Sequence, residues 1–154
     1  MFSDVNIADL IKKGGVFKEV EGTSPSEVYE HISGLVSLPD YISSAEFVDA
    51  LCQREQVLST AVGNGIAMPH AQASIIKNPE DQKIAVCYLR RAIDMNAPDG
   101  IRVFVMFVLL TSGVQPHLQV ISALAKVLHR QEVKKALERC AGLDELLRII
   151  EGKN

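Results

Sequence analysis

Apolar positions along the chain change their spacing twice, and the changes divide it into a helical start, an extended middle and a helical end. Asn6 to Lys13 reads as a short helix stopped by Gly14-Gly15, followed by Val16 to Val20 (VFKEV) as a brief strand. Val28, Ile32, Leu35 and Val36 then recur at helical spacing, with Pro39 ending the element. The start of that helix is marked by Ser24 as cap, Pro25 at the first helical position and Glu27 completing a capping box. Ser43-Ser44-Ala45-Glu46 repeats the capping pattern ahead of Phe47, Ala50 and Leu51, which predicts a third helix ending near Arg54 to Gln56.

In the middle, Ser59 to Val62 is short and extended, and Gly63-Asn64-Gly65 is a turn. Ile66-Ala67-Met68 leads into Pro69-His70, and the residue before a proline is pushed away from helix, so Met68 is predicted to be extended. Ala73 to Gln82 is predicted as a loop, Lys83 to Leu89 as a strand and Asn96 to Gly100 (NAPDG) as a turn. The near-continuous apolar run Ile101 to Leu110 has the character of a central strand covered on both faces. Thr111 to Gln115 is a loop, and from His117 onward Leu118, Ile121, Leu124, Ala125 and Leu128 mark an amphipathic helix. Gln131 to Cys140 and Asp144 to Glu151 are two further helices separated by Gly142. This order implies an α/β fold: a single layered domain over residues 1–154, with a mixed β-sheet flanked by helices.

Composition narrows the function classes. The chain has 154 residues, 47% hydrophobic and 23% charged, which suits an ordered globular domain rather than a disordered or fibrous one. A net charge of −3 offers no basic footprint for nucleic acid. Cys52, Cys87 and Cys140 are odd in number and form no CxxC pair, so reduced thiols in a cytoplasmic protein are expected, with no thiolate metal site. The N-terminus lacks the basic-then-apolar order of a secretory signal, and the longest apolar run, Val103 to Leu110, is far short of the roughly 20 residues that span a bilayer. No direct membrane insertion is expected.

The segment GNGIAMPH, Gly63 to His70, carries the most chemistry. Its two glycines form either a hairpin turn before an edge strand or a loop that lets backbone approach another group closely. It is no P-loop, which would end in Gly-Lys-Ser/Thr, and it matches the dinucleotide fingerprint only in part, because Met68 stands at the third glycine. Two of the four histidines follow a proline, Pro69-His70 and Pro116-His117, and each comes just after a predicted strand, where α/β sheets place ligand sites. His117 also falls in the first turn of a helix, whose free N–H groups favour an anion. Two imidazoles near one anion site make a pair suited to handling a phosphoryl group. Arg54 adds a fork suited to phosphate oxygens, unless it pairs with Glu55 or another surface acid. His31 reads as a helix-surface residue and His129 as a helix-end residue, with no HxxxH pair to hold zinc. Lys126, Arg130 and Lys134 recur every four residues, which makes either a solvated face or a surface for an acidic partner.

At these residues the chain resembles a known family. The run QREQVLSTAVGNGIAMPHA, from Gln53 to Ala71, is similar to the active-site segment of phosphotransferase-system (PTS) enzyme IIA domains of type 2, the fructose/mannitol/nitrogen-regulatory family. The later APDG, the buried strand, and His-Leu-Gln followed by Leu-Ala-Lys-Val-Leu are also similar, so the resemblance covers nearly the whole chain. It implies that His70 is the phosphorylated nucleophile through Nε2, that His117 is the second active-site histidine, and that Arg54 contacts the phosphoryl group. Asn64 is a further phosphate-binding candidate. It also implies transfer from the phosphocarrier HPr to His70 and on to an enzyme IIB domain in sugar uptake. A nitrogen-regulatory protein acting on target proteins through its phosphorylation state is the alternative. Neither role needs a cofactor or a metal. Ala71 and Gln72 stand where the family commonly has Gly and a small or basic residue.

Overall fold

A computed structural model describes residues 5–71 and 75–152. Its strands are β1 (Val16–Val20), β2 (Ala61–Gly63), β3 (Ile66–Ala67), β4 (Lys83–Ile93) and β5 (Val103–Leu110). They form one mixed sheet in the order β1-β4-β5-β3-β2. β4 runs antiparallel to β5, while β1 is parallel to β4 and β3 is parallel to β5. The helices are α1 (Ile7–Gly14), α2 (Pro25–Leu35), α3 (Ser44–Val57), α4 (Val114–Leu128), α5 (Gln131–Glu138) and α6 (Leu143–Ile150). Among the described residues no helix is long and apolar enough to cross a membrane.

β5 is central, and its side chains alternate between two cores. Val105, Phe107 and Leu109 face α1, α4, α5 and α6, joining Ile11, Leu124, Leu137 and Leu146. Met106, Val108 and Leu110 face α2 and α3, joining Tyr29, Ile32, Phe47 and Leu51. Burial on both faces is the reason the run is apolar without a break.

Local signals account for most boundaries. Ser43 and Glu46 close a reciprocal capping box at α3. At α2, Ser24 caps the Glu27 amide as expected, but the Glu27 carboxylate reaches past it to the amide and hydroxyl of Thr23. α4 begins at Val114, three residues before His117, because Pro116 falls in the first turn, where a missing N–H leaves no bond unmade. β4 continues to Ile93 through the charged pair Arg90-Arg91: β1 pairs with it only as far as Leu89, residues 90–92 are exposed, and Ile93 returns to the core opposite Val103.

Gly14 reads in sequence as part of a helix stop. In the fold it is the last residue of α1 and lies against β4: a Cβ there would fall 1.9 Å from the Ile84 carbonyl oxygen and 2.8 Å from the Ala85 nitrogen. Backbone cannot yield as a side-chain tip can. Gly14→Ala is expected to push α1 off the sheet at a cost of about 3 kcal/mol, seen as a melting temperature lower by roughly 6–12 °C. An unchanged melting curve would show that α1 can ride outward freely.

Candidate active site

Because β3 and β5 are parallel, the chain segments leaving both strands emerge on the same side of the sheet. Gly65 O accepts from Phe104 N at one end and Pro69 O accepts from Leu109 N at the other, so 65–69 lies along β5 for its full length. His70 follows at once. His117 arrives from the first turns of α4, which starts just after β5. The two rings meet with centroids 4.7 Å apart and planes at 53°.

Each imidazole is anchored through Nδ1. His70 Nδ1 lies 2.7 Å from the Met68 carbonyl oxygen. A carbonyl only accepts, so Nδ1 carries the hydrogen and the neutral ring keeps its lone pair on Nε2. His117 Nδ1 lies 2.6 Å from Thr111 Oγ1, on the buried threonine that follows β5. Burial pushes the His70 pKa below the ordinary 6.5, and the Arg54 charge pushes the same way, against the Met68 hydrogen bond and Glu55. His117 is lowered by burial, then by His70 and Arg54. Both rings are therefore neutral at pH 7, the state a nitrogen nucleophile needs. Ring titration followed by NMR should place both midpoints below 6.5; a midpoint at or above 6.5 for His70 would contradict this environment. The unfolded chain then binds more protons than the folded one below pH 6.5, so these rings lower folding stability as pH falls from 6.5 through their folded values.

Arg54 sits in the last turn of α3 and donates through Nη1 to the Leu58 carbonyl. Among the described residues it makes no ion pair. The expected competitor, Glu55, is otherwise engaged: Oε1 accepts from Tyr29 OH at 2.8 Å and Thr60 Oγ1 at 2.7 Å, and Oε2 accepts from Thr60 N at 2.9 Å. Glu55 thus ties α3 to α2 and to the approach to β2, leaving the guanidinium charge to act on the two imidazoles. Sequence reasoning missed this role, because the donors lie on other elements. Glu55→Ala leaves the Tyr29 hydroxyl, on a side chain with no exposure, without its acceptor. The expected loss is about 2–3 kcal/mol in urea unfolding, and a loss under 0.5 kcal/mol would mean water replaces the carboxylate.

Asn64 is not brought to the imidazoles. The β5 positions that pair with Gly65 and Pro69 are five residues apart, roughly 16 Å at ~3.3 Å per residue. Asn64 instead forms the turn at the far end of β3, at φ 57°, with its amide held 2.8 Å from Asp99 Oδ2. The other Asp99 oxygen accepts from Ile101 N, so this aspartate clamps the two loops together. Gly65 follows at φ +79°, where a Cβ would fall 2.5 Å from Phe104 Cδ1. Ala71 is buried and does not have positive φ, so alanine at this position carries no backbone strain. Gln72, the other departure from the family pattern, lies outside the described residues. His31 Nδ1 accepts from Glu21 N at 2.8 Å and fastens α2 to the end of β1, so it is more than a surface residue.

Comparison with known proteins agrees with this architecture. Residues 9–153 match the family described as phosphoenolpyruvate-dependent sugar phosphotransferase system, EIIA 2. A nitrogen regulatory protein of Pseudomonas aeruginosa is 31% identical over 150 residues, 95% of each chain. The crystal structure of nitrogen regulatory protein IIA-Ntr from Neisseria meningitidis superposes with a TM-score of 0.80 at 25% identity, covering 94% of this chain and 98% of that one. The enzyme IIA of mannitol from Escherichia coli, solved in complex with phosphorylated enzyme IIB, gives a TM-score of 0.69 at 18% identity over 90% of this chain and 95% of that one, a likeness of fold. A match across nearly every residue, in sequence and in fold, makes this chain a member of the type-2 enzyme IIA family of the phosphoenolpyruvate-dependent sugar phosphotransferase system.

Proposed function

We propose that residues 1–154 act as one phosphohistidine carrier, taking a phosphoryl group from HPr on His70 Nε2 and passing it to an enzyme IIB. The observation that carries this reading is the Met68 carbonyl on His70 Nδ1, which leaves a lone pair on Nε2 beside a second neutral imidazole. In the transfer, the Nε2 lone pair forms the new N–P bond as the donor's N–P bond breaks, and the donor imidazole leaves with that electron pair. Loose in-line transfer places charge on the three equatorial oxygens. Arg54 and the positive end of α4 are the groups assigned to stabilise it as His70 accepts, and His117 as the group moves on to enzyme IIB. Next to Arg54, Val57 and Leu58 are 65% and 70% exposed, and next to His117, Val114 and Leu118 are 78% and 58% exposed. Apolar residues around a charged centre suit protein partners that must dock before transfer. The enzyme IIB step is favoured by the mannitol relative, which was solved with phosphorylated enzyme IIB.

Regulation of target proteins is a second reading. It is favoured by the Pseudomonas nitrogen regulatory protein, which is 31% identical to this chain over 150 residues. Incubation with phosphoenolpyruvate, enzyme I and HPr tests the shared chemistry. One acid-labile phosphoryl group by intact mass, dependent on HPr, is expected. No gain with an active, matched HPr would reject the carrier reading.

A further inference from the structure

A cavity opens at the Asn64 end of β3, away from the two imidazoles, and the phosphoryl chemistry leaves it unexplained. It holds about 290 Å³ and lies between the Gly63-Asn64 turn, α4 and the start of α5. That is the size of a small metabolite and too small for a folded partner or a helix. Its floor is apolar, made by Ile66, Met68 and Leu128, which are 3%, 5% and 5% exposed. Its rim is basic: Lys126 and His129 from the end of α4, and Lys134 from the first turns of α5.

The charges are arranged for a guest. Among the described residues neither the Lys126 nor the Lys134 ammonium makes a hydrogen bond or an ion pair, although Lys134 is half-buried. Arg130, the middle member of the four-residue spacing, is spent elsewhere: it donates to the Ile149 and Ile150 carbonyls at the end of α6 and pairs with Glu132. Asp99, behind Gly63, has both its oxygens engaged by the Asn64 and Ile101 amides. No carboxylate lines the cavity.

We propose that this cavity binds a small organic anion: a phosphate or carboxylate head held between Lys126 and Lys134, with a short apolar body over Ile66, Met68 and Leu128. The site touches the catalytic strand directly. Met68 lines the cavity, and its carbonyl holds His70 Nδ1. An occupant that shifts Met68 therefore moves the residue that orients the His70 ring.

Titration of ¹⁵N-labelled protein with butyl phosphate, hexanoate and inorganic phosphate tests the proposal without requiring phosphoryl transfer, so its outcome is independent of the carrier reading. Butyl phosphate and hexanoate should shift the amides of Gly63, Asn64, Lys126, His129 and Lys134 with one midpoint, and the His70 ring signal should follow with the same midpoint. Inorganic phosphate, lacking the apolar body, should bind this site at least tenfold more weakly. The double substitution Lys126→Gln, Lys134→Gln should weaken butyl phosphate tenfold or more with the melting temperature unchanged, and Lys126→Arg, Lys134→Arg should retain it. Binding that is equal for butyl phosphate and inorganic phosphate, or indifferent to the glutamine pair, would overturn the site and leave only adsorption to surface lysines. Shifts confined to His70 and His117 would assign the anion to the active site instead. Cavity shifts without movement of the His70 ring would overturn the link through Met68.

Discussion

His70→Ala is expected to abolish phosphorylation while leaving the protein folded. His70 belongs to neither apolar core. Its removal forfeits one hydrogen bond to Met68 and one ring contact to His117, a stability change of about 1 kcal/mol or less. The chemical loss is far larger, because no other group offers an anchored, neutral nitrogen at this position. His117 is not expected to stand in: it reaches the site from α4, and its Nδ1 partner is the Thr111 hydroxyl, which can donate or accept and so does not fix a lone pair on Nε2 as the Met68 carbonyl does for His70. Labelling from phospho-HPr should fall at least ~100-fold, with a melting curve close to that of the parent. Retained labelling would move the nucleophile elsewhere, and loss of the folded signal would show that the site supports the fold.

The second large effect is expected at His117, and it divides the two half-reactions. His117→Ala keeps the His70 nucleophile and its Met68 anchor, so the protein should still accept one phosphoryl group. Onward transfer should slow ~100-fold, the usual cost of removing one well-placed stabiliser of transition-state charge. A single-turnover experiment, with the phosphorylated variant mixed with enzyme IIB, reads this directly. Equal slowing of both halves would instead indicate that His117 packs the site rather than serving the outgoing step. Because Thr111 holds the ring by its Nδ1, Thr111→Val provides a milder companion in which His117 is present but less well oriented.

The glycine-rich turn shows where sequence reading stops. Gly63-Asn64-Gly65 is a turn by its residues alone, and it adopts positive φ at all three positions. Its distance from His70 depends on the strand after it staying extended along β5, which only the pairing of Gly65 with Phe104 and Pro69 with Leu109 reveals. The same holds for Arg54 and Glu55. As neighbours in sequence they suggest an ion pair, yet consecutive helix residues point in different directions, and Glu55 finds its partners on Tyr29 and Thr60.

Features set by neighbouring residues were determined by the sequence itself: the caps at Ser24 and Ser43, the extended Met68 before Pro69, the doubly buried strand and the α/β class. So too were the identities of His70, His117 and Arg54 as candidates, since Pro-His pairs after strands and an arginine at a helix end are local patterns. Only the tertiary structure decided that β3 runs parallel to β5, and so that the two histidines meet while Asn64 does not. It also decided which nitrogen of His70 stays free, why Gly14 must lack a side chain, and that Lys126 and Lys134 face one cavity while Arg130 turns away. The division has one physical cause. Capping, turn and periodicity energies act within a few residues, whereas proximity, burial and hydrogen-bond partners arise from strand pairing between segments far apart in the chain.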